Sequence, residues 1–430
     1  MRFKFLLSVI FLMPYFVSAQ SAYKTGFYKD VFMDSGIKLY DRTTLAAVDS
    51  LNLSMEVFLA KKNDGNDTLM QHRCFAGWEQ DLNGALLYPD GAPRFRVLYV
   101  NGGLAGSHGR SLGEEGREAI RKYIAAGGSY LGTCAGAFVA SSGYIDAEDN
   151  YSPNRNYLGI WPGRVRDTYL QDKYLTMYME EDCPLLKYND FGGDRKVEGI
   201  YHLNGPYAAL EPQDSVPAGT LPLLRVDYDT IPPVGPSIDN QVTCWAYKAN
   251  EKAGTVISMA SHPEDITTGE RLHLMEAFLL YAMDNTGAPQ VKGELVPDQV
   301  REMNKSTEDG EPLYTKIGDR QYHHFTVDVP KRAKKLIIAL EGADGVDLSL
   351  AANPGSFAFL KDAFAKDESD GSSKTIMLKK PQQGKWYISV FCETVPDVEF
   401  GENGFVYTGR TDVLNGVPYK IKVELKANIR

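Results

Sequence analysis

The spacing of apolar positions changes character along the chain, from mixed strand and helix periods to strict alternation. Residues 94–100 form an almost continuous apolar run that ends in Asn101-Gly102-Gly103. Such a run predicts a buried strand, and the glycines predict a loop whose backbone can approach a ligand closely. Ser111-Leu112-Gly113-Glu114 has the spacing of a capping box and predicts a helix in which Ile120, Tyr123 and Ile124 share one face. Gly127-Gly128 ends that helix, 129–132 is the next strand, and a further helix is expected over 135–142. A strand, a helix and a second strand with a short return predict a right-handed parallel unit. Upstream, 30–34 and 55–60 read as strands, 41–51 has helical spacing, and 61–67 is polar and turn-rich.

Residues 151–240 are irregular and rich in Tyr, Pro, Gly and Asp, which predicts loops and short strands over the active edge of the sheet. Strand character resumes at 242–246 and 255–261. A closing helix is expected over 271–283, with Leu272, Met275, Phe278, Leu279 and Ala282 as its core face. The polar stretch 285–318 carries Pro289, Pro297 and Pro312 and reads as a linker with a short helix. From Gln321 the period becomes two. Strands are expected at 325–327, 335–340, 347–350, 375–378, 386–390 and 419–425, with 357–365 ambiguous, giving an all-β sandwich of about 110 residues. The fold class is therefore α/β followed by an all-β domain, divided as 1–19, 20–286, a linker at 287–320, and 321–430.

The first of these segments is a targeting signal by its pattern. Met1-Arg2-Phe3-Lys4 is basic, 5–17 is apolar and Ser18-Ala19 is small, which predicts an exported protein cleaved after about Ala19. Roughly 13 apolar residues interrupted by Pro14 fall short of the ~20 that span a bilayer, so no membrane insertion is expected. The net charge of -10 and a sequence pI of about 5.3 argue against nucleic acid as a partner. The five cysteines leave one thiol over in an oxidising compartment if the other four pair. No metal-ligand spacing occurs, and neither a metal nor a cofactor is expected. His323 and His324 are adjacent on an expected strand, face opposite sides and read as a solvated pair.

The candidate chemistry lies in Gly132-Thr133-Cys134-Ala135-Gly136-Ala137 and, far downstream, His262-Pro263-Glu264. The first run reads as a strand, a cramped turn and a helix, the setting of an exposed nucleophile on a strained backbone. Cys134 is the candidate nucleophile, His262 the base and Glu264 the carboxylate that orients it, with Asp265 as a rival. The N–H groups of Gly103 and Ala135 are candidates for holding an oxyanion. Asn101, Gly102, Trp161 and Asn204 are candidate substrate-binding residues, whereas His108 and His202 lie near the same loops without a motif of their own.

Residues 127–137 resemble the nucleophile turn of class I glutamine amidotransferase-like proteins, in particular the branch found at the N-terminus of biotin–protein ligases. Asn101-Gly102-Gly103, Trp161-Pro162-Gly163, Asn204-Gly205 and His262-Pro263-Glu264 follow the order of that branch, and the sequence departs from it at Pro206. The resemblance implies a flavodoxin-like, mostly parallel sheet and a Cys134–His262–Glu264 triad. Asp347-Leu348-Ser349-Leu350 and Gly384-Lys385-Trp386-Tyr387-Ile388 resemble bacterial pre-peptidase C-terminal domains, which implies an accessory sandwich. The function expected from these residues is a periplasmic or secreted cysteine hydrolase acting on an amide or peptide bond of a small substrate. The alternative is a non-catalytic glycan- or peptide-binding protein on the same scaffold. Contact with a glycan or the cell surface is a candidate role for the C-terminal module.

Overall fold

Two strands whose residues are buried on both faces sit at the centre of the first domain: β3 (Phe95–Val100) and β4 (Ser129–Thr133). In the computed structural model, the described residues are 29–34, 45–58, 81–210, 217–229, 232, 234–284, 289–401 and 404–426. The signal segment, the turn-rich 61–67 and Cys74 lie outside them. Before β3 come β1 (Lys29–Asp34), the short helix α1 (Ala46–Ser50) and β2 (Met55–Phe58). Helices α2 (Ala105–Ser111) and α3 (Gly113–Ala125) join β3 to β4, and α4 (Ala135–Ala140) follows β4.

The expected capping box is not formed. The Ser111 hydroxyl donates back to the His108 carbonyl at 2.8 Å, because Ser111 ends α2, a helix that the glycine-rich sequence conceals. Leu112 stands at the N-cap of α3 without a side-chain bond. Ile120, Tyr123 and Ile124 are buried as their spacing requires, and the Tyr123 hydroxyl donates to the Phe95 carbonyl at 3.1 Å.

The stretch read as irregular is far more ordered than its composition suggests. It holds β6 (Tyr151–Pro153), β7 (Arg164–Asp167), β8 (Lys173–Met179), β9 (Lys196–His202), β10 (Pro206–Ala208) and β11 (Thr220–Asp227), preceded by β5 (Gly143–Ile145). After it come β12 (Val242–Tyr247), β13 (Val256–Met259) and α5 (Gly269–Asp284). Nine of these strands form one sheet in the order β2-β1-β3-β4-β13-β12-β11-β8-β9. The first five are parallel and the last four are antiparallel extensions. β8 and β9 alternate buried, mostly apolar residues with more exposed, mostly polar ones, so tyrosines and lysines on one side masked a strand pattern. A smaller sheet, β10-β7-β5-β6, lies beside them. Met275, Phe278, Leu279 and Ala282 of α5 are buried in the core on one face of the large sheet, while α3 belongs to a second core that includes Phe95, Leu98 and Tyr130.

Residues 287–320 are not a linker. They supply β14 (Val291–Glu294) and β15 (Val300–Met303), which complete the two sheets of the C-terminal domain. The other strands are β16 (Tyr322–Val329), β17 (Lys335–Gly342), β18 (Leu348–Pro354), β19 (Ala365–Asp367), β20 (Lys374–Lys379), β21 (Gly384–Cys392), β22 (Asp397–Gly401), β23 (Gly404–Thr408) and β24 (Tyr419–Lys426). The orders β14-β16-β21-β18-β19 and β15-β24-β17-β20 describe two sheets that share one core, where Phe325, Leu350 and Ile388 meet Leu336, Ile338 and Val423. His323 and His324 do face opposite sides, but they are buried rather than solvated. His323 bonds to the Tyr419 hydroxyl at 2.8 Å and His324 to the Ser389 hydroxyl at 2.7 Å.

Buried charge joins the two domains. Arg94, just before β3, donates to Asp319 at 2.9 Å, and both side chains are 1% exposed. Lys292 pairs with Asp90, and the Thr307 hydroxyl donates to the Pro89 carbonyl at 2.7 Å. A buried charge that loses its partner pays its desolvation without compensation. Asp319→Ala should therefore lower the stability of the whole chain by about 3–5 kcal/mol, measured by chemical denaturation. A loss below about 1 kcal/mol would show that this contact does not join the domains energetically.

Candidate active site

Three adjacent parallel strands deliver the candidate residues to one rim. β3, β4 and β13 are neighbours, with Val100 opposite Gly132 and Thr133 opposite Met259. Asn101, Cys134 and the segment from Ala260 to His262 therefore leave the sheet side by side, at the carboxyl edge where open α/β sheets bind ligands.

Cys134 sits at φ 48° and ψ -105° between β4 and α4. A non-glycine residue in such a region costs on the order of 1–3 kcal/mol, so its surroundings must hold it there. Its N–H donates to the Met259 carbonyl at 2.8 Å, and its carbonyl accepts from the N–H of Ala137 at 3.0 Å. A Cβ on Gly136 would lie 2.2 Å from the Val100 carbonyl oxygen, and one on Gly132 would lie 2.6 Å from the Gly136 carbonyl carbon. Glycine at both positions lets the turn close against β3. Cys134 is buried rather than exposed as its turn suggested, and its thiol donates to the Leu203 carbonyl at 3.5 Å.

His262 follows β13, and its N–H donates to the Tyr201 carbonyl at 2.8 Å. Gly102 makes room for the ring, since a Cβ there would be 2.3 Å from His262 Cε1. Nδ1 of His262 lies 2.9 Å from Oε1 of Glu264. The same carboxylate oxygen accepts the Thr133 hydroxyl at 2.9 Å, and that hydroxyl is 3.1 Å from the Tyr99 hydroxyl. Glu264 is thus fixed from two sides. Burial alone would disfavour the His262 cation, but the Glu264 charge and the hydrogen bonds with Cys134 and Glu264 outweigh it and raise its pKa to about 11. Burial pushes Glu264 up, yet the His262 charge and its hydrogen bonds hold it below the ordinary carboxylate range.

The other sequence-level candidates fall into three groups. Gly103 has φ 146° and packs on the buried His108 ring, and Ala135 opens α4, where first-turn N–H groups have no acceptor within the helix. Asn101 is buried, and the buried Oδ1 atoms of Asn101 and Asn204 have no hydrogen-bond partner among the described residues. Asn204 itself is at φ 51°, beside Leu203. Trp161 does not line the site. It is fully buried, 4.8 Å from the Trp245 ring, with its N–H on the Thr220 hydroxyl at 2.9 Å, and Gly163 lies under its ring. The departure at Pro206 has a local reason: Gly205 makes the close approach to the Ala260 carbonyl, whereas Pro206 begins β10. His202 is buried between the hydroxyls of Thr168 at 2.6 Å and Ser261 at 2.7 Å. Burial and the His262 charge lower its pKa to about 3.

Residues 92–168 match one family model. It is the family described as the N-terminal part of biotin–protein ligase, and the match includes Asn101, Gly103, Cys134 and Trp161. Among solved structures, a glutamine amidotransferase is 15% identical, with 58% of this chain and 97% of that one covered and a TM-score of 0.36. PurLQS from Thermotoga maritima is also 15% identical, covering 59% and 99% at a TM-score of 0.32. The pre-peptidase C-terminal domain of the Bacillus anthracis collagenase is 14% identical, covering 32% and 98% at a TM-score of 0.19. No curated protein matches the chain.

The part that Tyr99 and Thr133 play in fixing Glu264 escaped the sequence, whereas Tyr201 and Leu203, whose carbonyls hold His262 and Cys134, fall in the 201–207 segment that reads as a candidate pocket lining. The only available signal was Thr133 immediately before the cysteine. His262 and His202 carry opposite expectations. Nitrogen-detected NMR should find the His262 imidazolium persisting above pH 6.5 and losing its proton only towards about pH 11, while His202 stays neutral down to about pH 3. A His262 raised in the folded state contributes stability fully below about pH 6.5 and loses it as pH rises through about 11. A neutral His262 at pH 7 would contradict this electrostatic arrangement.

Proposed function

We propose that this protein is an exported cysteine hydrolase that cleaves a carbon–nitrogen bond of an amide or peptide. The observation that carries the reading is the 2.9 Å contact between Glu264 and His262, at the end of the strand beside the one that carries the strained Cys134. A strained cysteine, an imidazole and a buried carboxylate in that order are the parts that nucleophilic catalysis needs. The turn at Cys134 is read as a nucleophile elbow in a flavodoxin-like sheet, and the match of residues 92–168 supports placing it among amidotransferase-like domains.

In this mechanism the Cys134 thiol gives its proton to His262, Sγ adds to the substrate carbonyl and the oxygen becomes an oxyanion. The N–H groups of Gly103 and Ala135 stabilise that charge. The tetrahedral adduct collapses, the C–N bond breaks, and the His262 imidazolium gives its proton to the departing amine. A thioester on Cys134 remains. His262, now neutral, takes a proton from water as it attacks the thioester, the C–S bond breaks, and the acid is released while the Cys134 thiolate is restored beside the His262 imidazolium. Glu264 holds the ring in place and favours its cationic form. Asn101, Gly102 and Asn204 are the substrate-binding positions of this reading. The orphaned side-chain oxygens of the two asparagines are acceptors that an amide N–H would satisfy. Export rests on the pattern of residues 1–19, and among the described residues no helix is long and apolar enough to cross a membrane. The C-terminal sandwich is assigned contact with a glycan or the cell surface.

A screen of small amides and peptides tests the proposal. For any substrate that the parent protein turns over, Cys134→Ala should lower kcat by at least about 10³-fold, and Glu264→Gln by on the order of 10²–10⁴-fold with little change in KM. Full activity in Cys134→Ala would remove the proposal, and the absence of turnover of any amide or peptide by the parent protein would favour the binding-protein alternative.

A further inference from the structure

A row of aromatic rings leads from the protein surface to His262. β8 and β9 are registered with Tyr174 opposite Tyr201, and Tyr201 forms a bridge to His262 across the next backbone segment. Residues opposite one another in adjacent strands project from the same face of a sheet. The Tyr174 and Tyr201 rings are 5.6 Å apart, and the Tyr201 and His262 rings are 5.7 Å apart. Tyr174, at the outer end, is 70% exposed, although its large ring would ordinarily gain by burial. Leu203, whose carbonyl receives the Cys134 thiol, is 41% exposed beside the row. Exposed apolar surface that runs without a break into a reactive rim is unlike scattered surface leucines and marks a binding site.

The direction of the row says which part of a substrate it meets. In the proposed cleavage, which this inference rests on, His262 protonates the departing nitrogen, so that nitrogen lies next to the His262 ring. A substituent on the nitrogen then extends past His262 towards Tyr201 and Tyr174. The His262 cation at the inner end disfavours a second positive charge there, and ring faces favour a planar apolar group. We propose that Tyr174 and Tyr201 form a subsite for an aromatic group on the amine side of the scissile bond. The substrate class is an amide or peptide whose leaving amine carries an aromatic side chain, rather than a primary amide that releases ammonia.

Iodoacetamide and N-benzyl-iodoacetamide test this with the full-length chain. Both alkylate a thiolate by displacing iodide, and the benzyl group occupies the position of a leaving-amine substituent. Alkylation of Cys134 is followed by peptide mass mapping, and each rate is divided by the rate of the same reagent with glutathione. The benzyl reagent should be favoured by about five- to tenfold in the parent. Tyr174→Ala should bring that preference close to one without altering the iodoacetamide rate, and Tyr174→Phe should retain it. Equal rates for the two reagents, or a preference that survives Tyr174→Ala, would overturn the subsite while leaving the thiol reading intact. Failure of both reagents to modify Cys134 would overturn the thiol reading, and the subsite with it.

Discussion

The backbone at Cys134 can hold φ 48° only because three strands end together and two glycines let the chain turn between them. Gly136 touches the Val100 carbonyl of β3, the Cys134 N–H is bonded to Met259 of β13, and the Tyr130 hydroxyl donates to the Gly136 carbonyl at 2.8 Å. The turn is therefore tied to both neighbours of β4. Those neighbours carry the other participants, Asn101 to Gly103 after β3 and His262 after β13. Strain at the cysteine and convergence of the site are two consequences of the same packing.

A second layer explains why the imidazole is fixed. Glu264 lies on a single turn after His262 and would be a weak anchor by itself. Thr133 on β4 and Tyr99 on β3 tie it back to the sheet. The carboxylate is buried beneath the ring and its charge is balanced by the imidazolium, as a buried ion must be. On the opposite side of the chain His202 is held neutral between two hydroxyls, so two histidines close in space are kept in different charge states by different partners.

The central strands and the catalytic candidates were legible because their signals are local. An almost continuous apolar run such as Phe95–Val100, interrupted by Arg96, has few alternatives, and a cysteine flanked by Gly132 and Gly136 states a steric requirement directly. What stayed hidden depended on partners remote in sequence. β8 and β9 look like loops until β11 and each other's edges are supplied. The prolines of 287–320 suggested a linker, yet β14 and β15 pair with β16 and β24 around them. Trp161 sits in a motif beside the site but packs on Trp245, which nothing near it in sequence announces. Ser111 shows the reverse error, a correct local motif displaced by an unnoticed helix ending at the same residue.

The account stands on covalent attack by one thiol, and acylation measures that step without knowledge of the natural substrate. Mixing the protein with p-nitrophenyl acetate, following nitrophenolate and mapping the acid-quenched chain by mass should give a burst of one equivalent with the acetyl group on Cys134. A burst that places the acetyl group on another residue, or no acylation at Cys134 at all, would contradict it.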